Sequence, residues 1–500
     1  MDKNEGIALN PNKLVQYLDK PAEDFTKKDI IKFVEKNNIR MLNFRYIGGD
    51  GRLKTLNFVI NSKAHLDHIL STGERVDGSS LFSYIDASSS DLYVVPRYKT
   101  AFVNPFTETP TLDLLCSYYT SEGKPLPSSP ENIIKRAHKM LKEKTGFTFE
   151  ALGELEYYLL SEVDYIYPII EQKGYHESHP FSKWGAIRRE AMKVISEMGG
   201  KIKYGHAEVG NIIHDDIEMV QHEIEFLPAS VEEAADQLVL AKWAVREVAY
   251  KYELEVSFAP KIIVGHAGSG LHVHARLVKD DKNMMVDGSG LSDTAKKLIA
   301  GFLKLSPSLT AFGNTVPTSF LRLVPHQEAP TSICWGDRNR SVLVRVPLGW
   351  LGVDNMIRDA NPKEPEDESG HVRMNTQTVE LRSPDGSANV HQLLAGMTVA
   401  ALYGLESEDS LKIADELYVS VDASKVKDRK LEQLPASCHE AADMLLKDRD
   451  IYEKYGIFPP GMIDKLAKDL KAYNDKNLSE KMFGNADALK EIVRQFIHCG

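Results

Sequence analysis

The sequence predicts an α+β fold in two domains, and three observations carry that reading. Two apolar-rich segments, Arg40–Tyr46 and Leu53–Ile60, flank Gly48-Gly49-Asp50-Gly51, a hairpin signal that opens a small, mostly β domain. A Gly/Pro/Ser-rich stretch, Gly123 to Pro130, separates that domain from the rest. Beyond it, helical and strand-like segments alternate through Leu405. The full 500 residues exceed the size of a usual single domain.

Each element has a local reason. Residues 1–25 are polar and weakly periodic and read as a loose leader. Asp29–Asn37 reads as a short helix, and Asp91–Pro96 and Thr111–Tyr119 as further strands of a domain spanning 26–122. After a linker at 123–135, the larger domain is expected over 136–460. Its first helix, Glu131–Lys144, has Ser129 as N-cap and Pro130 at the first helical position. Glu232–Lys251 reads as a helix, and Val256–Phe258 and Leu271–Leu277 as strands. Residues 353–375, rich in Asp, Pro, Glu and Asn, read as an exposed insertion, and 461–500 as a helical tail.

Composition excludes several classes. A formal charge of −11 argues against a nucleic-acid partner, which needs a basic face. The longest apolar-rich run, Leu393–Leu405, is too short to span a bilayer and reads as a buried helix, so no membrane role is expected. The first residues lack the apolar core of a signal peptide. The four cysteines show no framework spacing, which suits reduced thiols in a cytoplasm.

The chemistry concentrates in a few stretches. In Ala-Leu-Gly-Glu154-Leu-Glu156-Tyr, a strand would project both carboxylates from one face, an arrangement that is costly unless cations neutralise it. Gly268-Ser269-Gly270-Leu271-His272-Val273-His274 places two imidazoles on one strand face. Thr378-Val379-Glu380-Leu381-Arg382 does the same for an acid and an arginine. His206-Ala207-Glu208 and Gln221-His222-Glu223-Ile224-Glu225 add three acids. Arg322, Glu328, Arg338, Arg340 and Arg345 lie close together in sequence, and arginine's planar fork suits carboxylates and phosphates. Taken singly, each stretch is also compatible with core histidines or solvated charges. No phosphate-binding G-x-x-x-x-G-K-[ST] loop is present.

Together and in this order, these segments resemble the glutamine synthetase family over roughly residues 25–455. The shared motifs are Asp77-Gly78-Ser79-Ser80, Glu-x-Glu, His-x-Glu, Gly-Ser-Gly-x-His-x-His, Arg-Asn-Arg-Ser and Glu-x-Arg. The resemblance implies a β-grasp-like N-terminal domain and a catalytic domain with an antiparallel sheet funnel flanked by helices. It implies Mg²⁺ or Mn²⁺ as cofactor, with Glu156, Glu208 and Glu223 holding the cation nearer glutamate and Glu154, His272 and Glu380 the one on the ATP phosphates. By the same resemblance, Arg322, Arg382 and Gly268 would bind glutamate, and Arg345 and His274 would lie along ATP. Arg340 would stabilise the transferring phosphoryl group, Tyr175 would line the ammonium pocket, and Glu328 would close over the reaction centre and take a proton. The implied reaction is ATP-dependent ligation of ammonia to the γ-carboxylate of glutamate through a γ-glutamyl phosphate. The implied assembly is a homo-oligomer, a hexameric ring or two stacked rings, with active sites between subunits.

Departures from the family pattern gather at the nucleophile. Gly48 stands where the family has an aspartate that serves ammonium, with Asp50 two residues further on, and Ala267 replaces the usual asparagine. Tyr175 keeps its 13-residue spacing to Arg188. An organic amine or polyamine is therefore an alternative nucleophile, and a scaffold or regulatory binder without turnover is a reading of a different class.

Overall fold

The computed structural model describes residues 7–288, 290–324, 329–349, 356–363, 376–426, 430–482 and 485–500. The N-terminal domain contains strands β1 (Met41–Ile47), β2 (Leu53–Val59), β3 (Glu74–Asp77), β4 (Asp91–Pro96), β5 (Phe102–Val103) and β6 (Thr111–Thr120). Their order is β2-β1-β6-β4-β3, with β5 on β6. Strands β1 and β6 run parallel, while β1–β2 and β4–β6 are antiparallel. Helices α1 (Lys13–Leu18), α2 (Lys27–Lys36) and α3 (Lys63–Thr72) pack with this sheet around Phe44, Leu112 and Leu114.

The expected loose leader is corrected here. Asn12 caps α1, accepting from the Leu14 amide at 2.8 Å, and Leu14 and Val15 are buried in the domain core. Two apolar anchors on one short turn dock the segment despite its polar composition. The linker also ends earlier than expected, because helix α4 (Pro130–Thr145) begins at its proline.

The larger domain is built on a sheet whose main path comprises seven strands. These are β7 (Thr148–Glu162), β8 (Ile202–His214), β9 (Ile217–Phe226), β10 (Leu271–Lys279), β11 (Trp335–Asp337), β12 (Val344–Val346) and β13 (Val379–Leu381). Their order is β11-β12-β13-β10-β7-β9-β8, and every pairing is antiparallel except β11–β12. On β7, Phe149, Ala151, Leu155 and Tyr157 face the core together with α4, α5 (Gly185–Glu197) and α6 (Val231–Lys251). Helices α7 (Asp293–Gly313) and α8 (Val390–Glu406) belong to the same core. A Cβ on Gly301 of α7 would lie 2.0 Å from the Ala400 carbonyl of α8, so only glycine permits this close crossing. Leu393–Leu405 is helical and largely buried, as its apolar run implied.

The tail expected at 461–500 is helical, yet its first helix, Met462–Ala472, buries Ile463, Ala467 and Leu470 in the main core. That helix is therefore part of the larger domain. Of the expected insertion at 353–375, residues 356–363 lie among those described and include a short helix, Met356–Ala360. Among the described residues, no helix is long and apolar enough to cross a membrane.

Candidate active site

Strand alternation turns the sequence spacing into a site. Because alternate residues of β7 enter the core, Leu152, Glu154 and Glu156 take its other face and line a cleft of about 1200 Å³. Strand β10 sets His272 opposite Glu154, and β9 sets Glu223 opposite Glu156 and Glu225 opposite Glu154. From β8, His206 lies opposite Glu223. On the other side, Glu380 of β13 faces His274, and Arg345 of β12 faces Glu380. Residues hundreds of positions apart thus converge on one opening.

Two compact donor groups result. Glu154, His272 and Glu380 each offer a ligand atom within 4.8 Å of the others, as do His206, Glu208 and Glu223. In the first group His272 Nδ1 lies 2.8 Å from Glu154 Oε2 and 3.7 Å from Glu380 Oε1. In the second, His206 Nε2 lies 3.2 Å from Glu223 Oε1 and its Nδ1 lies 3.8 Å from Glu208 Oε2. Carboxylate oxygens with one imidazole per group are a donor set suited to Mg²⁺ or Mn²⁺.

The second group differs in one member from the expected trio of Glu156, Glu208 and Glu223. Glu156 Oε2 accepts from the Gly270 amide at 2.6 Å and from Gln221 Nε2 at 3.2 Å. Its carboxylate therefore faces the group from β7, while His206 completes the compact trio. The sequence did carry a signal for His206, since His-x-Glu in a strand shares one face. Gln221, which positions Glu156, and Thr378, 2.9 Å from His274 Nδ1, had no such signal.

Electrostatics show how crowded these acids are. Burial and then the charge of Glu156 push Glu208 up to about 7. Burial, with the charges of Glu154 and Glu156, pushes Glu223 up to about 8, against the hydrogen bond from His206. Burial also disfavours ionised Glu154, yet the charge of His274 and the hydrogen bond from His272 hold it well below the usual carboxylate range. Buried acids that raise one another's pKa call for positive charge, and the two donor groups fit cations for that reason.

The arginines line the same cleft. Arg345 donates to Glu380 Oε2 at 2.9 Å, and Arg382 Nε donates to Glu380 Oε1 at 3.0 Å. Arg382 also donates to the Arg340 carbonyl. Buried Arg322 donates to the Ser383 carbonyl at 2.9 Å, and its other nitrogen lies 3.4 Å from His272 Nε2. Burial disfavours the charge on Arg340, but a hydrogen bond with Tyr175 raises it overall. Tyr175 is half exposed, stacks on His176 at 4.2 Å and meets the edge of His206. Gly268 lies at the cleft wall, where a Cβ would sit 2.4 Å from the Pro260 carbonyl. The structure thus brings together every expected site residue except Glu328, which lies outside the described residues.

A cleft with clustered carboxylates for cations and arginines for anions suits phosphoryl transfer to a carboxylate. Comparison with known proteins points the same way. The family model of the glutamine synthetase catalytic domain matches residues 127–481, and that of its beta-Grasp domain matches 38–121. Glutamine synthetase of Staphylococcus epidermidis is 29% identical over 448 residues, 87% of this chain and 92% of that protein. The Clostridium saccharobutylicum enzyme is 30% identical over 441 residues, 86% and 91% of the two chains. Among solved structures, Plasmodium falciparum glutamine synthetase superposes with a TM-score of 0.75 at 18% identity, covering 91% of this chain and 97% of that one. GmaS without ligand gives 0.72 at 19% identity, covering 92% and 100%. With both domains matched and the acids and arginines gathered on one face, the chain belongs to the glutamine synthetase family and is a ligase that forms carbon–nitrogen bonds.

Proposed function

We propose that this protein joins ammonia to the γ-carboxylate of glutamate, using ATP and giving glutamine, ADP and phosphate. The observation that carries the reading is the convergence of both donor groups with Arg322, Arg340, Arg345 and Arg382 on one cleft.

A carboxylate is a poor acyl donor, so the γ-phosphoryl group of ATP first moves to a carboxylate oxygen of glutamate and ADP leaves. Ammonia then forms the C–N bond as the C–O bond to phosphate breaks. Mg²⁺ or Mn²⁺, when bound, would neutralise charge on the phosphoryl oxygens and substrate carboxylate. Glu154, His272 and Glu380 would hold the ion at the phosphates, and Glu208 and Glu223, flanked by Glu156 and His206, the ion at glutamate. Arg322 and Arg382 grip the α-carboxylate, and Gly268 leaves room for the amino group. Arg340 neutralises the transferring group, while Arg345 and His274 follow the phosphates. Tyr175 borders the nucleophile, and Glu328 is the expected acceptor of its proton. We further propose a homo-oligomer, one ring or two, in which neighbouring N-terminal domains complete each cleft.

A second reading, an organic amine as nucleophile, is favoured by one feature. Gly48 offers no carboxylate, and Asp50 is paired with Lys54 at 2.7 Å. The deciding experiment is ADP release with Mg²⁺, ATP and glutamate, comparing ammonium with putrescine, spermidine and ethanolamine. Turnover with ammonium alone supports glutamine synthesis. Turnover with an organic amine alone, or silence with ammonium, overturns it.

A further inference from the structure

Residues 485–500 lie beyond the stretch matched to the catalytic domain and carry none of the roles assigned above, yet their docking is specific. In the helix Ala486–Phe496, Leu489, Ile492, Val493 and Phe496 recur at the spacing of one helical face. Asn485 caps its start, accepting from the Ala488 amide at 3.1 Å. Leu489, Ile492 and Val493 pack on Leu321, Leu478 and Met482, and Phe496 meets the edge of Tyr473 at 5.6 Å. Past the helix, Ile497 and Cys499 join a second cluster, with Tyr158, Ala259 and Ile262.

Side chains from three other places hold the irregular end. Ser257 Oγ donates to the Ile497 carbonyl at 2.6 Å, and Arg52 of the first hairpin donates to the His498 carbonyl at 2.7 Å. Arg246 of α6 donates to the carbonyls of Cys499 and Gly500, at 3.3 and 2.7 Å. Carbonyls with no ladder to join thus receive donors, and the guanidiniums bond more strongly than neutral groups. Gly500 also abuts the turn at Gly386, whose carbonyl a Cβ on Gly500 would approach to 2.0 Å. Buried Lys242 of α6 donates to that same carbonyl at 2.7 Å.

Each docking point lies behind a wall of the cleft on its glutamate side. Leu321 immediately precedes Arg322 in a four-residue helix. Ala259 adjoins Pro260, whose carbonyl accepts from the Ser269 amide at 3.1 Å and abuts Gly268. Tyr158 Oη donates to the Ala267 carbonyl at 2.7 Å. Gly386 follows Ser383 and Pro384, whose carbonyls accept from Arg322 at 2.9 and 3.3 Å. Glu380 and Arg345, toward the phosphates, are set by β13 and β12 instead.

We propose that residues 486–500 form an intramolecular strap that keeps the glutamate walls of the cleft in place, with Arg246 and Val493 as positioning residues. The inference rests on the reading that Arg322 and Gly268 bind glutamate. A strap set free lets Leu321 and the 259–268 segment shift, and misplacing a binding group by about 1 Å can cost about 100-fold. The phosphate side, built on its own strands, keeps its geometry.

The test uses full-length Val493→Asp, which puts a charge into the apolar face, and Arg246→Ala, which removes both guanidinium bonds to the strap's end. Hydrogen exchange over 485–500 should quicken in each, the sign of a released strap. The KM for glutamate in the ADP-release assay should rise at least ~5-fold, with the KM for ATP within ~2-fold of wild type. A released strap with unchanged glutamate KM, an equal rise for glutamate and ATP, or unchanged exchange in both variants overturns the proposal. If Val493→Asp does not fold, as judged by circular dichroism and gel filtration, Arg246→Ala decides. A wild-type protein without ADP release overturns the ligase reading instead, and isothermal titration with glutamate then replaces KM as the measure of the strap.

Discussion

Asp50 and Lys54 pair across the first hairpin, Nζ to Oδ2 at 2.7 Å, while Asp50 Oδ1 accepts from the Arg52 amide at 3.1 Å. The carboxylate is thus committed to shaping its own turn. Exposed pairs of this kind contribute about 0–1 kcal/mol. Asp50→Ala should therefore lower stability by less than about 1 kcal/mol and leave the KM for the amine within ~2-fold. A large rise in the KM for ammonium would show instead that Asp50 reaches the nucleophile and replaces the aspartate missing at Gly48.

Glu380 should be the least replaceable acid of the cleft. It is 1% exposed and receives both Arg345 and Arg382. Removing it leaves two largely buried guanidinium groups without their anion, a loss of about 3 kcal/mol. It also removes a cation donor at the phosphates. Glu380→Ala should reduce ADP release by at least ~100-fold, measured at a temperature where circular dichroism shows the variant folded. Near-normal turnover would remove Glu380 from the metal site.

What was legible in the sequence follows from locality. Glu154 with Glu156, and His272 with His274, declare a shared face because strand alternation is a property of two residues. The buried helix at Leu393–Leu405 needed only its own apolar run. His206 was harder, since its meeting with Glu223 depends on how β8 registers on β9, a pairing that shifts between Ala207 and Asn211. Glu225 was visible as an acid, but its place opposite Glu154 exists only once β9 pairs with β7. Helix α1 is too short for a 3.6-residue pattern to emerge, and burial of Leu14 and Val15 rather than propensity holds it.

Gly268 tests whether the wall of the cleft positions the acids behind it. A Cβ there would meet the Pro260 carbonyl at 2.4 Å and Arg322 Cδ at 3.2 Å. The Gly268 carbonyl accepts from Gln221 Nε2 at 3.0 Å, and that amide also holds Glu156. Gly268→Ala must therefore displace Arg322, Gln221 and Glu156 together. The expected result is a fall of at least ~10-fold in kcat/KM for glutamate, with a stability loss of about 1–3 kcal/mol from overpacking. Unchanged glutamate kinetics in a folded variant would count against this coupling.

The raised acids of the second donor group give the metal-free protein an unusual pH dependence. Glu208 moves from 4.5 to about 7 and Glu223 from 4.5 to about 8, both chiefly through burial. For an acid raised in the folded state, the native protein binds more protons than the unfolded chain, so stability falls as pH climbs from 4.5 through those values. His206 has the same sign. Burial lowers it, but the hydrogen bond and charge of Glu223 lift it overall from 6.5 to about 9, so its contribution is complete below 6.5 and lost as pH rises through 9. Protein treated with a chelator should therefore show a declining Tm between pH 5 and pH 9. Saturating Mg²⁺ or Mn²⁺ should flatten or reverse that slope, because cations bind the deprotonated acids and neutral imidazole. Differential scanning calorimetry at pH 5.5, 7 and 8.5, with and without metal, reads both effects. A metal-free Tm that rises across this range would contradict the crowding assigned to Glu208, Glu223 and Glu156.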